Sequence, residues 1–545
     1  MNCREYQDNI GAILRAVMPD LLGILVVSIV SWNLTSGLSH FLDIGLYDES
    51  AYLSSGVALG VNGLPDAAYA PLYAVWYHVL SLLQPDRVQL YYLNYKILTL
   101  LPALLLYLFL RKQGVRTLVC VCAACALVVC KGNFQTWPKV SHFTLCILLG
   151  GLTLASLVVK PALNFGVLSL VALVASYARP EYFLAFMVSA CLSLYLLFRG
   201  SLGKKQLASF AVMTLLAVLL ICFMGYPLGG ESGRSFVAFS QHFSINWVGW
   251  TQSDLHAITD SEQIARKCFG SANTAIQCLF NDPTLVMRHI ISNILSLPGR
   301  AVEVIILPSR NFSEHLRFSR LLGAYILFIC AMGILVFGKL RWSVIKTALP
   351  VVSRQLVALV ICVMPPLISS VLIYPRDHYL LLLVVPILAA LLVLVRDCSL
   401  QPEKNVPFFA LLVGVFFLFQ TPVLSEPEGN LPVKRAIAFL DSLHINQPVQ
   451  MLEAQGGFHY YLAKNWSRVA EYEKSEPFLD FMSHRHINAI MLSDELRNDT
   501  RFKSDSQWQE FVADPATANF LKLDVPDTPW VLFIRKELLH IPGVP

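Results

Sequence analysis

Long apolar windows recur through this 545-residue chain, and they constrain its fold more than any other feature. A bilayer core about 30 Å thick needs about 20 mostly apolar residues per helix. Eleven such windows lie near 18–38, 89–110, 117–135, 140–159, 163–178, 182–198, 206–226, 320–338, 355–373, 378–395 and 406–424. The chain is 56% hydrophobic and 14% charged, whereas a soluble domain is about one quarter charged. The expected fold is therefore a polytopic α-helical membrane protein with about 11 transmembrane helices. The first window starts late and lacks a small-residue cleavage site, so it reads as an anchor and not as a removed signal. The net charge of +5 is small for this length. With no basic run or nucleic-acid motif, nucleic acid is excluded as a partner.

Sidedness follows from Lys and Arg, which concentrate on the cytoplasmic side. One set of connections carries Arg111, Lys112, Arg116, Lys160, Arg199, Lys204, Lys205, Lys339, Arg341, Lys346, Arg354, Arg396 and Lys404. The opposite set carries Arg87, Lys131, Lys139, Arg179 and Arg376. Arg4 and Arg15 put the N-terminus on the basic side, so it is expected to be cytoplasmic, with an odd number of crossings leaving the C-terminal tail outside. The layout predicts a transmembrane portion over 1–425, with extracytoplasmic loops at 39–88 and 227–319. From Glu426 onward charged residues return at the density of a soluble protein. The tail, 426–545, is expected to fold as a separate small α/β unit. Its helical patterns lie at 436–440 and 477–484, and its strand candidates at 449–452, 489–492 and 530–534.

Most of the 13 cysteines fall in apolar windows. Cys120, Cys122, Cys125 and Cys130 have a spacing that suggests metal binding, but a buried Cys behaves as a small apolar residue, and packing is the favoured reading. Cys268 and Cys278, paired in an outer loop, are expected to form a disulfide in an oxidising compartment.

The residues suited to chemistry gather on the outer side. Asp43, Asp48 and Glu49 follow the first helix closely. The stretch Pro71 to Leu83 is too short to cross and carries interfacial aromatics. The short outer connections carry Lys131, Trp137, Lys139 and His142, then Arg179-Pro180-Glu181-Tyr182, then Tyr374-Pro375-Arg376-Asp377-His378-Tyr379. Ionisable groups at the membrane edge are costly unless used or paired. A carboxylate can take a proton from an acceptor hydroxyl or amine, and Arg or Lys can hold a departing phosphate. Transfer from a lipid-linked phosphate uses both. The segment Arg234 to Trp250, with His242, either shapes the acceptor site or forms an aromatic loop core.

Tyr47-Asp48-Glu49-Ser50-Ala51-Tyr52, directly after the first helix, resembles the first-loop motif of the GT-C glycosyltransferases, which include protein O-mannosyltransferases and lipid A aminoarabinose transferases. Asn62-Gly63-Leu64-Pro65, Ala70-Pro71-Leu72-Tyr73, Arg179-Pro180-Glu181 and Pro375-Arg376-Asp377-His378-Tyr379 resemble further family elements in the same order. The resemblance implies a GT-C-like fold and a polyprenyl-phosphate sugar donor. It implies Asp48 as the general base with Glu49 beside it, and Asp43 as a second acidic candidate. Arg179, Arg376 and Lys139 would bind donor phosphate. Tyr52, His378, Tyr379 and His242 are candidate substrate contacts. Some family members need a divalent metal, and this sequence shows no clean ligand set. The acceptor would be a glycolipid, polysaccharide or protein, and the setting would suit a bacterial inner membrane. The alternative function is transport or flipping of lipid-linked glycans, which would favour broken helices, midplane charges and inverted repeats. No such repeat is evident.

Overall fold

The computed structural model describes residues 3–134, 138–200, 203–228, 234–306, 333, 342–398, 431–469, 476–499 and 501–539. The expected crossings at 320–338 (residue 333 apart) and 406–424 lie outside the described residues, as do Trp137, Lys339, Arg341, Lys404 and Glu426. The chain divides into two compact units. One comprises 1–36, 64–75 and 95–423; the other comprises 37–63, 76–94 and 424–545.

The main helices begin with α1 (Cys3–Thr35), α2 (Tyr47–Val57), α3 (Pro71–Leu83), α4 (Arg87–Lys112), α5 (Thr117–Val129), α6 (Val140–Ser156) and α7 (Pro161–Ser176). They continue with α8 (Tyr182–Arg199), α9 (Lys204–Met224), α10 (Arg234–Thr251), α11 (Pro283–Ile306), α12 (Trp342–Leu372), α13 (Asp377–Leu394) and α14 (Pro432–Ser442). Six helices are long and apolar enough to cross a membrane: Val17–Phe41, Arg87–Lys112, Tyr182–Arg199, Lys204–Met224, Val352–Leu372 and Asp377–Leu394. Each coincides with an expected window. Three further windows fall on α5, α6 and α7, helices of 13, 17 and 16 residues. At 1.5 Å per residue these are shorter than a bilayer core. Of the nine expected windows that fall on described residues, six thus have spanning length. The window at 117–135 overran because Cys130 turns the chain extended and ends α5 at Val129.

Within the first unit, α9 exposes Leu207, Val212, Leu215, Leu219 and Phe223, while Ala217, Leu220, Ile221 and Met224 pack on Leu173, Tyr177 and Phe183. An apolar helix with one packed stripe and the rest uncovered has the surface of a lipid-facing helix. In contrast, α5 is buried on all sides from Val119 to Val129. Its Cys120, Cys122 and Cys125, with Cys130 just beyond, are buried free thiols. Helices α6 and α7 approach closely at Gly151, where an added Cβ would lie 2.2 Å from Val171 Cγ1. Small residues at such crossings let helix backbones pack tightly in lipid. Asp20 of α1 is tied to α4 by Arg111 Nε at 2.6 Å and by the Tyr107 hydroxyl at 2.7 Å, so this acidic group is paired.

The stretch read as an outer loop at 227–319 contains α10, two short helices (Ser261–Phe269 and Ala275–Asn281) and α11. Phe239, Phe243 and Trp247 recur every four residues on α10 and bury with Ile264, Phe269, Cys278 and Val286. The aromatics of 234–250 therefore form a core. Cys268 and Cys278 are free thiols packed in that cluster, and the expected disulfide does not form. Burial, with a smaller contribution from Cys268, raises the Cys278 thiol to about 11, which keeps it protonated and unreactive.

In the second unit, five strands run β1 (Val449–Glu453), β2 (Trp466–Arg468), β3 (Ala489–Leu492), β4 (Phe520–Asp524) and β5 (Val531–Arg535), in the spatial order β2-β1-β3-β5-β4. β1 pairs in parallel with β2 and β3, while β5 is antiparallel to both β3 and β4. Phe478, Phe481, Phe502, Trp508, Phe511 and Phe533 form the core against the sheet. The small α/β layer expected in the tail is present, with three of its strands where the pattern placed them. β2 has only three residues and β4 alternates as Phe-Leu-Lys-Leu-Asp; neither makes an apolar run. The compact unit also includes 37–63 and 76–94. Asp43 shows why: it accepts hydrogen bonds from Val433 N (2.9 Å) and Lys434 N (3.0 Å), and so caps α14.

Candidate functional site

The second unit holds the carboxylates. α2 opens at Tyr47, whose φ of 36° is left-handed and strained for a bulky residue. Asp48 and Glu49 fall in its first turn, where the helix dipole favours negative charge. The two differ sharply. Glu49 is 1% exposed. It accepts hydrogen bonds from the Tyr77 hydroxyl and from Asn94 Nδ2 at 3.0 Å, while Trp76 Nε1 donates to Asn94 Oδ1 at 2.8 Å. Glu49 thus ties α2 to α3 and α4. Asp48 is exposed. Asp43 holds the cap on α14 and also accepts from Ile44 N at 2.9 Å. Burial outweighs these hydrogen bonds and raises its pKa. Tyr52, one turn beyond Glu49, is buried. The three carboxylates do not fit a divalent cation, because two are bound to different groups. Among the described residues no set of three metal-ligating side chains occurs.

The aromatics of α3, expected to lie in the membrane interface, are instead partly internal. Tyr77 is fully buried against Glu49, and Tyr73 is fully buried with its ring 5.3 Å from Phe143.

The first unit holds the cations, clustered around the turn between α12 and α13. Arg376 is the exposed N-cap residue of α13 and has no carboxylate partner among the described residues. Its neighbour Asp377 is drawn off by Lys131 (3.2 Å), which also binds Glu303 at 2.6 Å. Arg179 is buried, paired with Glu181 at 2.8 Å, and lies 4.3 Å over the Tyr379 ring. His378 is buried with its ring 4.4 Å from Tyr379. On the other side, His242 of α10 lies 5.5 Å from the Tyr374 ring, ring to ring. Its Nδ1 is bound to the Ala238 carbonyl at 2.5 Å. Burial, reinforced by the Arg376 charge, lowers the His242 pKa to about 4, so the ring is neutral near pH 7 with Nε2 as its acceptor.

Arg300 joins this cluster unforeseen. It donates to the Tyr374 hydroxyl at 2.6 Å and lies 4.7 Å over that ring. It sits in α11, inside the stretch read as a loop; its only signal was a single cation after Pro298-Gly299. Lys139 is placed differently. It is fully buried, donates to the Asn133 carbonyl at 2.5 Å and lies 4.0 Å over Tyr95. Its ammonium is used in holding the turn before α6.

Arg179 and Arg300 against two tyrosine rings, with the exposed Arg376 beside them and Glu181 paired to Arg179, form an anion-attracting surface. Arg376 is its open member. No protein-family model and no curated protein matches the chain.

Proposed function

We propose that this chain is a membrane glycosyltransferase that moves a monosaccharide from a polyprenyl-phosphate-linked donor to an acceptor outside the cytoplasm. The observation that carries this is the arginine cluster at the head of α13. Arg376 is exposed there with its neighbouring acid neutralised by Lys131, and Arg300 and Arg179 are fixed on tyrosine rings. A phosphate is the anion that such planar, bidentate donors hold best. Asp48 is the base, being the exposed one of the three acids Asp43, Asp48 and Glu49 that follow the first helix. In a single displacement with inversion, the acceptor O–H or N–H proton passes to the Asp48 carboxylate as the acceptor atom bonds to the sugar C1. The C1–O bond to phosphate breaks, and its electron pair leaves on the phosphate oxygen, whose charge the arginines stabilise.

The chain is placed with its N-terminus in the cytoplasm and its tail outside, as the Lys and Arg asymmetry favours, in a GT-C-like arrangement whose further crossings include the shorter helices. A lipid donor then enters sideways from the bilayer.

The test is mass spectrometry of envelope glycolipids and glycoproteins from cells carrying the wild-type chain or Asp48→Asn. Loss of one sugar mass from one acceptor class, with the variant still in the membrane, is the expected result. Arg376→Ala should weaken donor use, and excess donor should partly restore it. Identical profiles for wild type and Asp48→Asn would remove Asp48 as the base and favour transport of lipid-linked glycans.

A further inference from the structure

The tail sheet has a feature that the transfer chemistry does not use. β1, β2 and β3 are parallel, so their C-terminal ends share one edge. From β1 the chain passes to β2 on one side; from β3 it passes to β4 and β5 on the other. The connections therefore diverge between β1 and β3. In open α/β sheets such a switch point leaves a crevice outside the strand ends where ligands bind.

The side chains at this edge are polar and incompletely matched. Glu453 ends β1 and is 2% exposed. Its Oε1 accepts from Gly457 N at 2.9 Å, while its buried Oε2 has no hydrogen-bond partner among the described residues. Gln455 donates through Nε2 to Glu495 just beyond β3, at 3.0 Å, and its Oε1 is also buried and unmatched. His459 Nδ1 lies 3.8 Å from Glu453 Oε1. Buried polar atoms are nearly always paired in folded proteins, so two unmatched acceptors two residues apart point to a missing donor.

The backbone closes this edge against the start of α2. Gly456 is left-handed at φ 73°, and a Cβ there would meet the Arg468 guanidinium at 3.1 Å; a Cβ on Gly457 would meet Leu46 at 3.2 Å. Tyr47 follows, 57% exposed. Partial burial raises its pKa, with Glu495 and Glu453 adding and Arg468 opposing. The strained Tyr47 backbone thus holds an aromatic ring at the same edge, immediately before Asp48.

We infer that this switch point, formed by Glu453, Gln455, His459, Arg468, Glu495 and Tyr47, is a saccharide-binding site that presents the acceptor sugar beside Asp48. Planar carboxylate, amide, guanidinium and imidazole groups read neighbouring hydroxyls, and the unmatched acceptors call for the O–H donors a sugar supplies. The exposed ring of Tyr47 offers the apolar face on which sugar C–H groups stack. Arg468 offsets the two glutamates, which disfavours a simple cation as the ligand. The acceptor role rests on the proposed transfer function; the binding site does not.

Full-length protein in nanodiscs is titrated with glucose, galactose, mannose, N-acetylglucosamine, lactose and chitobiose, and binding is read by saturation-transfer NMR and calorimetry. At least one sugar should bind. Glu495→Gln, at an exposed position, and Gln455→Ala, at a half-buried one, should each weaken it about tenfold with unchanged thermal unfolding, while Asp48→Asn should bind normally and fail only in transfer. If no sugar binds, or if binding is indifferent to both loop substitutions, the inference is overturned. Glu495-dependent binding in a protein that transfers nothing would leave the site standing and overturn the transferase assignment alone.

Discussion

Asp43 separates a structural carboxylate from a catalytic one. Replacing it with Ala removes the acceptor shared by Val433 N, Lys434 N and Ile44 N, at 2.9, 3.0 and 2.9 Å. Loss of an N-terminal cap costs about 0.5–2 kcal/mol, and the upper end applies because one carboxylate serves two amides of the first turn of α14. At about 2 kcal/mol, and about 1.4 kcal/mol per factor of ten, local opening of α14 becomes about 30-fold more frequent. Hydrogen–deuterium exchange of the full-length protein should show this in the 432–442 peptide, with β3 as the internal control. Asp43→Asn keeps an acceptor oxygen and should change exchange only slightly. The sign of the pH dependence is also set. Because burial raises the folded-state pKa of Asp43 above its unfolded value of 3.8, its contribution is complete below that value and declines as pH rises through the folded pKa. After correction for intrinsic rates, α14 should lose protection over that rise in the wild type and not in Asp43→Asn. Wild-type exchange in Asp43→Ala, or equal loss across β3, would refute the capping argument. Loss of sugar transfer in a well-folded Asp43→Asn would return Asp43 to the catalytic set.

Glu49→Ala would leave Tyr77 and Asn94 facing a buried gap. It should destabilise the second unit by about 3 kcal/mol, seen as a lowered thermal midpoint, with Glu49→Gln closer to wild type. Gly151→Leu should loosen the α6–α7 crossing, where even a Cβ would lie 2.2 Å from Val171, and lower the thermal midpoint; an unchanged midpoint would mean that the helices do not meet there. Burial lowers the pKa of His289, on α11, from 6.5 to about 4. The unfolded chain therefore binds more protons between those values, so stability should fall as pH drops from about 6.5 to 4, and a melting series of His289→Gln should show a shallower slope. Arg300→Ala should raise the donor KM about tenfold or more with a smaller change in kcat; unchanged kinetics would remove Arg300 from the phosphate-binding group.

The apolar windows and the charged tail were legible from residue order because hydrophobic length and charge density are local properties. Six windows became helices of spanning length, and the strand candidates at 449–452, 489–492 and 530–534 appeared in the sheet. The roles of polar residues were not local. Asp43, Asp48 and Glu49 lie within seven positions of one another, yet one caps a helix nearly 400 residues away, one is exposed, and one is sealed by Tyr77 and Asn94. Lys139 and Arg376 read alike as edge cations, but burial over Tyr95 fixes the first and a Lys131–Asp377 pair leaves the second open. Arg300 gained its place only when α11 brought it to Tyr374. Sequence determines which segments leave water, because transfer free energy sums along the chain. Tertiary structure decides which charged groups remain available, because a hydrogen bond or ion pair depends on partners that the fold alone brings within reach.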